Sequence, residues 1–205
     1  MKENRTDLIL NYCKGKNVLD IGCIDHHSIL ESREDWLHKR IKSVAKKIVG
    51  IDYLKDEVEV LRKKGYDIVY ANAEDFDLNE KFDVIVGGEI LEHLSNPGNF
   101  LNSIKKHMHE NTRLILTTPN AFSLRRMIGM ILNGKLIENK EHVAYYSNVL
   151  IAQFFKRNGF KVKTIKYLHS EDRNKVKKFL ELFLSMFFRK ELRHTLFVVG
   201  GLIKK

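Results

Sequence analysis

Two residue types that shape irregular or stapled chains are scarce here: the 205 residues include only two prolines and two cysteines. Two prolines leave no basis for a proline-rich linker or a low-complexity stretch. Cys13 and Cys23 form no CxxC pair. They could make one disulfide at most, and a reduced, cytoplasmic protein is the expectation. Long apolar runs are missing too: none reaches the roughly 18 residues needed to span a bilayer. Met1 to Asp7 is polar and charged, with no basic stretch leading into an apolar one, so no signal peptide is read.

What remains is the composition of a folded domain. Hydrophobic residues make up 43% of the chain, enough for a sizeable core, and the length suits a single domain over 1–205. The net charge of +10 is unevenly placed. Phe160 to Lys205 carries 12 Lys/Arg against 4 Asp/Glu, hence +8 of the +10. A basic tail fits nucleic acid, an anionic membrane surface, an acidic substrate or a merely solvated face.

Along the chain, β-rich apolar runs alternate with helical patterns, which predicts a doubly wound, Rossmann-like α/β sheet, mostly parallel, with helices on both faces. Strands are expected at Asn17–Ile21, Lys47–Asp52, Asp67–Tyr70, Phe82–Gly87, Arg113–Thr117, Phe160–Leu168 and Thr195–Leu202, seven in all. Helices are expected from a Thr6 cap to near Gly15, over much of Ser28–Lys46, at Leu54–Lys64, from Asn96-Pro97-Gly98 to about His109, around Leu124–Leu132, from a Ser147 cap to Asn158, and at Arg173–Arg189. Residues at about 121–146 read as a lid-like insertion.

Ligands of such sheets bind beyond the carboxyl ends of the strands, so the residues that follow each strand carry the argument. Asp20 and Gly22 close the first strand. Asp52 ends the second, and an ionised carboxylate there can accept from both hydroxyls of a ribose. Asn72-Ala73-Glu74 follows the third, where an amide and backbone groups suit an adenine edge. Gly87-Gly88-Glu89 follows the fourth, with Leu91-Glu92-His93-Leu94 behind it.

The strings VLDIGC, VGID, ANAEDFD, FDVIVGGEILEHLSNPGNFL, LILTTPN, EHVAYYS and NGF, in that order, resemble the class I S-adenosylmethionine-dependent methyltransferases, in particular the group with the ubiquinone-biosynthesis and glycan-cluster enzymes. The resemblance covers about Asn17 to Phe160. It implies a last strand antiparallel to the rest and S-adenosylmethionine as cofactor. It also implies cofactor contacts for Asp20, Gly22 and Cys23 at the methionine portion, Asp52 at the ribose, Tyr53 beside the adenine, Asn72 and Ala73 at the adenine edge, and Glu89 beneath the methyl donor. Two departures stand out. The family's GxGxG loop reads Gly22-Cys23-Ile24-Asp25-His26, and Asn72 stands where an acid is common.

The implied activity is in-line methyl transfer to a small-molecule or glycan or lipid-linked acceptor, most simply to oxygen. A hydroxyl acceptor must lose a proton. His93 and His142 are the candidate bases; each could equally be a packed, hydrogen-bonded histidine. No metal site is expected, because His26-His27 are adjacent and His107 and His109 fall two apart on one helix. The aromatic, base-flanked helix at about 173–190 suits a membrane interface or a lipidic acceptor, a homodimer contact, or packing on the sheet. Nucleic acid is disfavoured for want of a stacking platform. The rival reading is a non-catalytic scaffold of this fold at a membrane surface.

Overall fold

The computed structural model describes residues 4–24, 33–134, 139–169 and 189–203. Asp25, His26 and His27 lie outside them, as does nearly all of the aromatic helix expected at 173–190.

Helix α1 (Arg5–Cys13) precedes strand β1 (Asn17–Ile21); α2 (Leu37–Lys42), β2 (Lys47–Asp52), α3 (Lys55–Lys63) and β3 (Ile68–Tyr70) follow. Then come β4 (Phe82–Gly88), a 3-10 turn at Leu91–His93, α4 (Pro97–Lys106) and β5 (Met108–Pro119). Helices α5 (Leu124–Asn133) and α6 (Asn148–Arg157), β6 (Phe160–Leu168) and β7 (Thr195–Leu202) complete the chain. The seven strands form one sheet in the order β3-β2-β1-β4-β5-β7-β6. The pairs from β3 to β5 are parallel, and β7 runs antiparallel between β5 and β6. The expected architecture is therefore the observed one.

Strand side chains alternate between the two faces, so each central strand feeds two cores. Leu19, Ile21, Ile51, Ile85 and Leu116 pack on one face with Phe100 and Ile104 of α4 and Phe155 of α6. Val18, Val86, Ile115 and Phe197 pack on the other with Ile9 of α1 and Ile41 of α2. Near-continuous apolar runs such as Asn17–Ile21, buried at four of five positions, are what coverage on both faces demands.

Three local expectations are corrected. The cap of α1 is Asn4, whose side chain accepts from the Asp7 amide at 2.7 Å; Thr6 lies inside the helix and is buried. Within the described part of Ser28–Lys46, only Leu37–Lys42 is helical. Trp36 before it is extended, because its indole Nε1 donates to the Cys23 carbonyl at 2.7 Å and holds the chain under the first loop. Helix α4 ends at Lys106, so His107 and His109 do not share it. His107 caps the helix with its ring fully buried and stacked on Phe76 at 4.5 Å. Its Nδ1 lies 2.8 Å from the Ser103 carbonyl, and its Nε2 accepts from the Leu78 amide at 2.8 Å. That pairing calls for a neutral ring with the proton on Nδ1, and burial pushes its pKa down accordingly. His109 belongs to β5 and faces Asp83 at 3.3 Å.

Candidate active site at the carboxyl ends of β1 and β4

A cavity of about 660 Å³ opens beyond β1 and β4, at the point where the strand order reverses. It is floored by Asp20, Gly22 and Cys23 on one side and by Gly88 and Glu89 on the other. Gly22 adopts φ +68°, a backbone state that side chains disfavour, and a Cβ there would stand 3.0 Å from Ile90 Cδ1. Its amide donates to the Ile51 carbonyl at 2.9 Å, which ties the loop to β2.

Asp20 is buried, and its Oδ2 lies 2.9 Å from Nδ1 of the equally buried His38. Cys23 is a free, buried thiol whose pKa burial pushes well up. It therefore contributes backbone and bulk rather than a nucleophile. Glu89 is a non-glycine residue at φ +56°. Its amide donates to both the carbonyl and the hydroxyl of Thr117, at 3.0 and 3.1 Å, which helps hold the strained conformation. Its carboxylate lies 3.6 Å from the guanidinium of Arg5.

Behind Glu89 lies Glu92, only 2% exposed. One of its oxygens accepts from the Thr118 hydroxyl at 2.9 Å. Burial first, and then the neighbouring Glu89, push its pKa up to about 8. The His93 and His142 rings meet edge-on in the same wall of the cavity, with centroids 4.8 Å apart.

The candidate residues thus divide into two groups. Asp20, Gly22, Cys23, Glu89, His93 and His142 come together around the cavity. Asp52, Tyr53, Asn72 and Ala73 sit beside it, at the ends of the paired strands β2 and β3. Asp52 is 4% exposed; its two oxygens accept from the Ile24 amide at 2.8 Å and the Leu54 amide at 3.1 Å. Burial raises its pKa, and these backbone donors pull against the rise. Tyr53 is 65% exposed beside it. Asn72 is exposed, with its side-chain oxygen accepting from the Glu74 amide at 2.9 Å. Ala73 packs against the core.

Three contributors escaped the sequence reading. Arg5 reaches the cavity from α1, His38 pairs with Asp20 from α2, and Thr117 braces Glu89 from the end of β5. Thr117 is the last residue of the predicted strand Arg113–Thr117, close enough to its end for the same rule to have reached it. Arg5 and His38 carry no local signal, since each sits on a helix like any surface base.

The methyltransferase domain family model matches residues 2–165. The ubiquinone biosynthesis O-methyltransferase of Actinobacillus pleuropneumoniae serotype 5b is 32% identical over 118 residues, covering 52% of this chain and 47% of that one. The (S)-tetrahydroprotoberberine N-methyltransferase of Eschscholzia californica is 26% identical over 102 residues, 50% of this chain and 29% of that one. In both cases the match spans less than half of the relative's length. A SAM-dependent methyltransferase from Archaeoglobus fulgidus superposes with a TM-score of 0.67 at 16% identity, covering 97% of this chain and 91% of that one. The magnesium protoporphyrin IX methyltransferase of Synechocystis, solved with bound SAH, superposes at 0.62 with 13% identity, covering 97% and 82%. The family match runs over most of the chain and across every strand of the parallel half of the sheet, so this chain belongs to the class I S-adenosylmethionine-dependent methyltransferase family.

Proposed function

We propose that this chain transfers a methyl group from S-adenosylmethionine to an oxygen of a small-molecule acceptor. The observation that carries the reading is the charge pattern of the cavity beyond β1 and β4. Arg5, Arg33 and Arg40 line it together with Asp20, Asp35 and Glu89, Arg5 lying 3.6 Å from Glu89 and Arg33 3.0 Å from Asp35. The methionine portion of the cofactor is itself doubly signed, with a carboxylate beside an ammonium and a sulfonium. A lining of both signs is the complement of such a ligand.

The residues fit the cofactor in two stages. At the methionine end, the bare backbone of Gly22 allows close approach, Arg5 offers a cation to the carboxylate, and Asp20 and Glu89 offer anions to the positive groups. At the adenosine end, the Asp52 carboxylate draws on the Ile24, Leu54 and Tyr53 amides, and of the about four acceptor sites of a carboxylate some capacity remains for the ribose. Tyr53 and Asn72 flank that position for the base.

When bound, the cofactor supplies a methyl group made electrophilic by the adjoining sulfonium. The protein's part is to hold the acceptor oxygen in line and to exclude water. His93 and His142 line the same cavity, and in this reading they take the proton that an acceptor hydroxyl loses. Oxygen is preferred to nitrogen because these two imidazoles give a hydroxyl a route for that proton. The acceptor has an apolar part in this reading. Helix α5 fully buries none of its side chains, and Met127, Met130, Ile131 and Leu132 are left exposed on it. A glycan or lipid-linked acceptor would use the same face. Among the described residues no helix is long and apolar enough to cross a membrane.

Calorimetric titration with S-adenosylhomocysteine is the test, with Arg5→Ala and Asp52→Ala alongside. Micromolar binding weakened in both folded variants supports the reading. No binding by folded wild-type protein would overturn it and favour the scaffold alternative. The observation behind that alternative is the Ile24 amide already seated on Asp52.

A further inference from the structure

The floor of the cavity rests on a tripeptide that no sequence motif marks. Trp36, Leu37 and His38 stand at the start of α2, and each meets a different part of that floor. The Trp36 indole donates to the Cys23 carbonyl at 2.7 Å and so holds the first loop, where Cys23 and Ile24 follow Gly22. Leu37 lines the cavity beside Gly88, its Cδ2 lying 3.3 Å from where a Gly88 Cβ would stand. His38 reaches the end of β1, with its Nδ1 2.9 Å from Asp20 Oδ2. Asp20 lines the cavity, and the buried His38 ring stands behind it.

The slot that holds the ring is built around that one bond. Gly50 of β2 makes room for it, since a Cβ there would stand 2.9 Å from His38 Cε1. Trp36 and Tyr66 flank the ring, with centroids 5.3 and 6.0 Å away. Its Nε2 is buried with no hydrogen-bond partner among the described residues. A buried polar atom left unpaired is costly, and an apolar ring would fill the same space without that cost. What the imidazole adds is the proton on Nδ1, because an ionised carboxylate only accepts.

We propose that His38 is a positioning residue that fixes the Asp20 carboxylate for the ammonium of the cofactor's methionine portion. The proposal rests on the reading above, in which Asp20 offers its charge to that positive group. A carboxylate without a second tether turns about its Cβ–Cγ bond and presents either oxygen at any tilt. The bond from His38 engages Oδ2 and sets the plane of the group, and acceptor capacity remains for the ligand. Less ordering is then left for the moment of binding, which favours a ligand that needs the carboxylate in one orientation. Trp36 acts in parallel on the loop backbone through the Cys23 carbonyl, so one short segment steadies both the anion and the loop beside it.

The experiment uses the full chain and two probes: S-adenosylhomocysteine, and methylthioadenosine, which keeps the nucleoside and the thioether but has no amino-acid portion. Calorimetry gives both affinities for wild type, His38→Ala and His38→Asn, each variant confirmed folded by its thermal transition. His38→Ala should weaken S-adenosylhomocysteine by roughly tenfold, the scale of one hydrogen bond to a charged group, and leave methylthioadenosine within about twofold. His38→Asn, whose amide nitrogen can donate to the same oxygen, should recover most of that loss. In wild-type protein the His38 Nδ1 proton should shift in the NMR spectrum on adding S-adenosylhomocysteine and hold its position with methylthioadenosine. Equal weakening of both probes in His38→Ala, weakening of neither, or a wild-type proton that S-adenosylhomocysteine does not move would overturn the positioning role and leave the proposed function standing. Folded wild-type protein that binds neither probe would overturn the proposed function and this role with it.

Discussion

Glu92→Gln should flatten the dependence of stability on pH. In the folded chain Glu92 holds its proton until about pH 8, against an ordinary value of 4.5, because burial and then Glu89 oppose its ionisation. Below pH 4.5 the carboxyl is protonated in both folded and unfolded chains, and the shift contributes nothing. Between 4.5 and 8 the unfolded chain releases the proton while the folded chain keeps it. The unfolded state then binds fewer protons, and stability falls as pH rises. The slope is about 1.4 kcal/mol per pH unit, which amounts to roughly 2 kcal/mol by pH 6. Above pH 8 both states are ionised and the loss stops growing.

Glutamine cannot ionise, so the variant lacks this slope. Its amide brings buried donors that cost a constant amount at every pH; the diagnostic is the slope and not the offset. Urea unfolding at half-unit steps from pH 4.5 to 8.5 measures both proteins. The difference between them should move in the variant's favour across that window and level off above it. A Glu89→Gln control should narrow the window, ending the fall at a lower pH, since Glu89 is the second cause of the shift. Parallel profiles for wild type and Glu92→Gln would refute the claim that this carboxyl is held protonated by its surroundings.

Other outcomes follow from contacts around the site. Asp52→Ala should cost about 2–3 kcal/mol of S-adenosylhomocysteine affinity through two lost charge-assisted bonds, read by calorimetry. It should also lower the urea midpoint, because the Ile24 and Leu54 amides lose their acceptor. Gly50→Ala would put a Cβ 2.6 Å from Cys23 Sγ and 2.9 Å from His38 Cε1, an overpacking worth about 1–3 kcal/mol of stability. Wild-type stability in that variant would mean the first loop yields freely. Ser147→Ala should cost about 1 kcal/mol by removing the cap on the Leu150 amide, seen as a lower melting temperature.

The strands were the most legible part of this chain because their signal is local. Asn17–Ile21, Lys47–Asp52, Phe160–Leu168 and Thr195–Leu202 have the expected limits, each an apolar or alternating run closed by a turn residue or an acid. Strand β5 begins at Met108 rather than Arg113, although His109, Glu110 and Asn111 look like a loop. It starts early because Thr112 bonds the Phe82 carbonyl at 2.6 Å and the His109 amide at 2.9 Å, pinning a polar stretch to the sheet. Helix α2 was overdrawn for a matching reason: the Trp36 indole is committed to the first loop, a tertiary contact that helix periodicity cannot report.

The same division runs through the site. Gly22 and Glu89 stand directly after strands and Asp20 one residue before the end of β1, the region where ligands of such sheets bind, so the post-strand rule reaches all three. A carboxylate at the end of β2 was equally visible, but its acceptor sites suit backbone amides as well as ribose hydroxyls. Only the folded chain discloses that Ile24 and Leu54 use two of them. His142 lies 49 positions beyond His93 in the sequence, with β5 and α5 between, so no spacing rule joins them. What joins them is the Val143–Glu92 backbone bond, which docks the segment before α6 against the turn after β4. A pairing assembled by such a clasp has no linear motif, so the two rings meet only in the folded chain. The clasp also makes the pairing conditional: loosening the 139–143 segment would part the two imidazoles and open the wall of the cavity together.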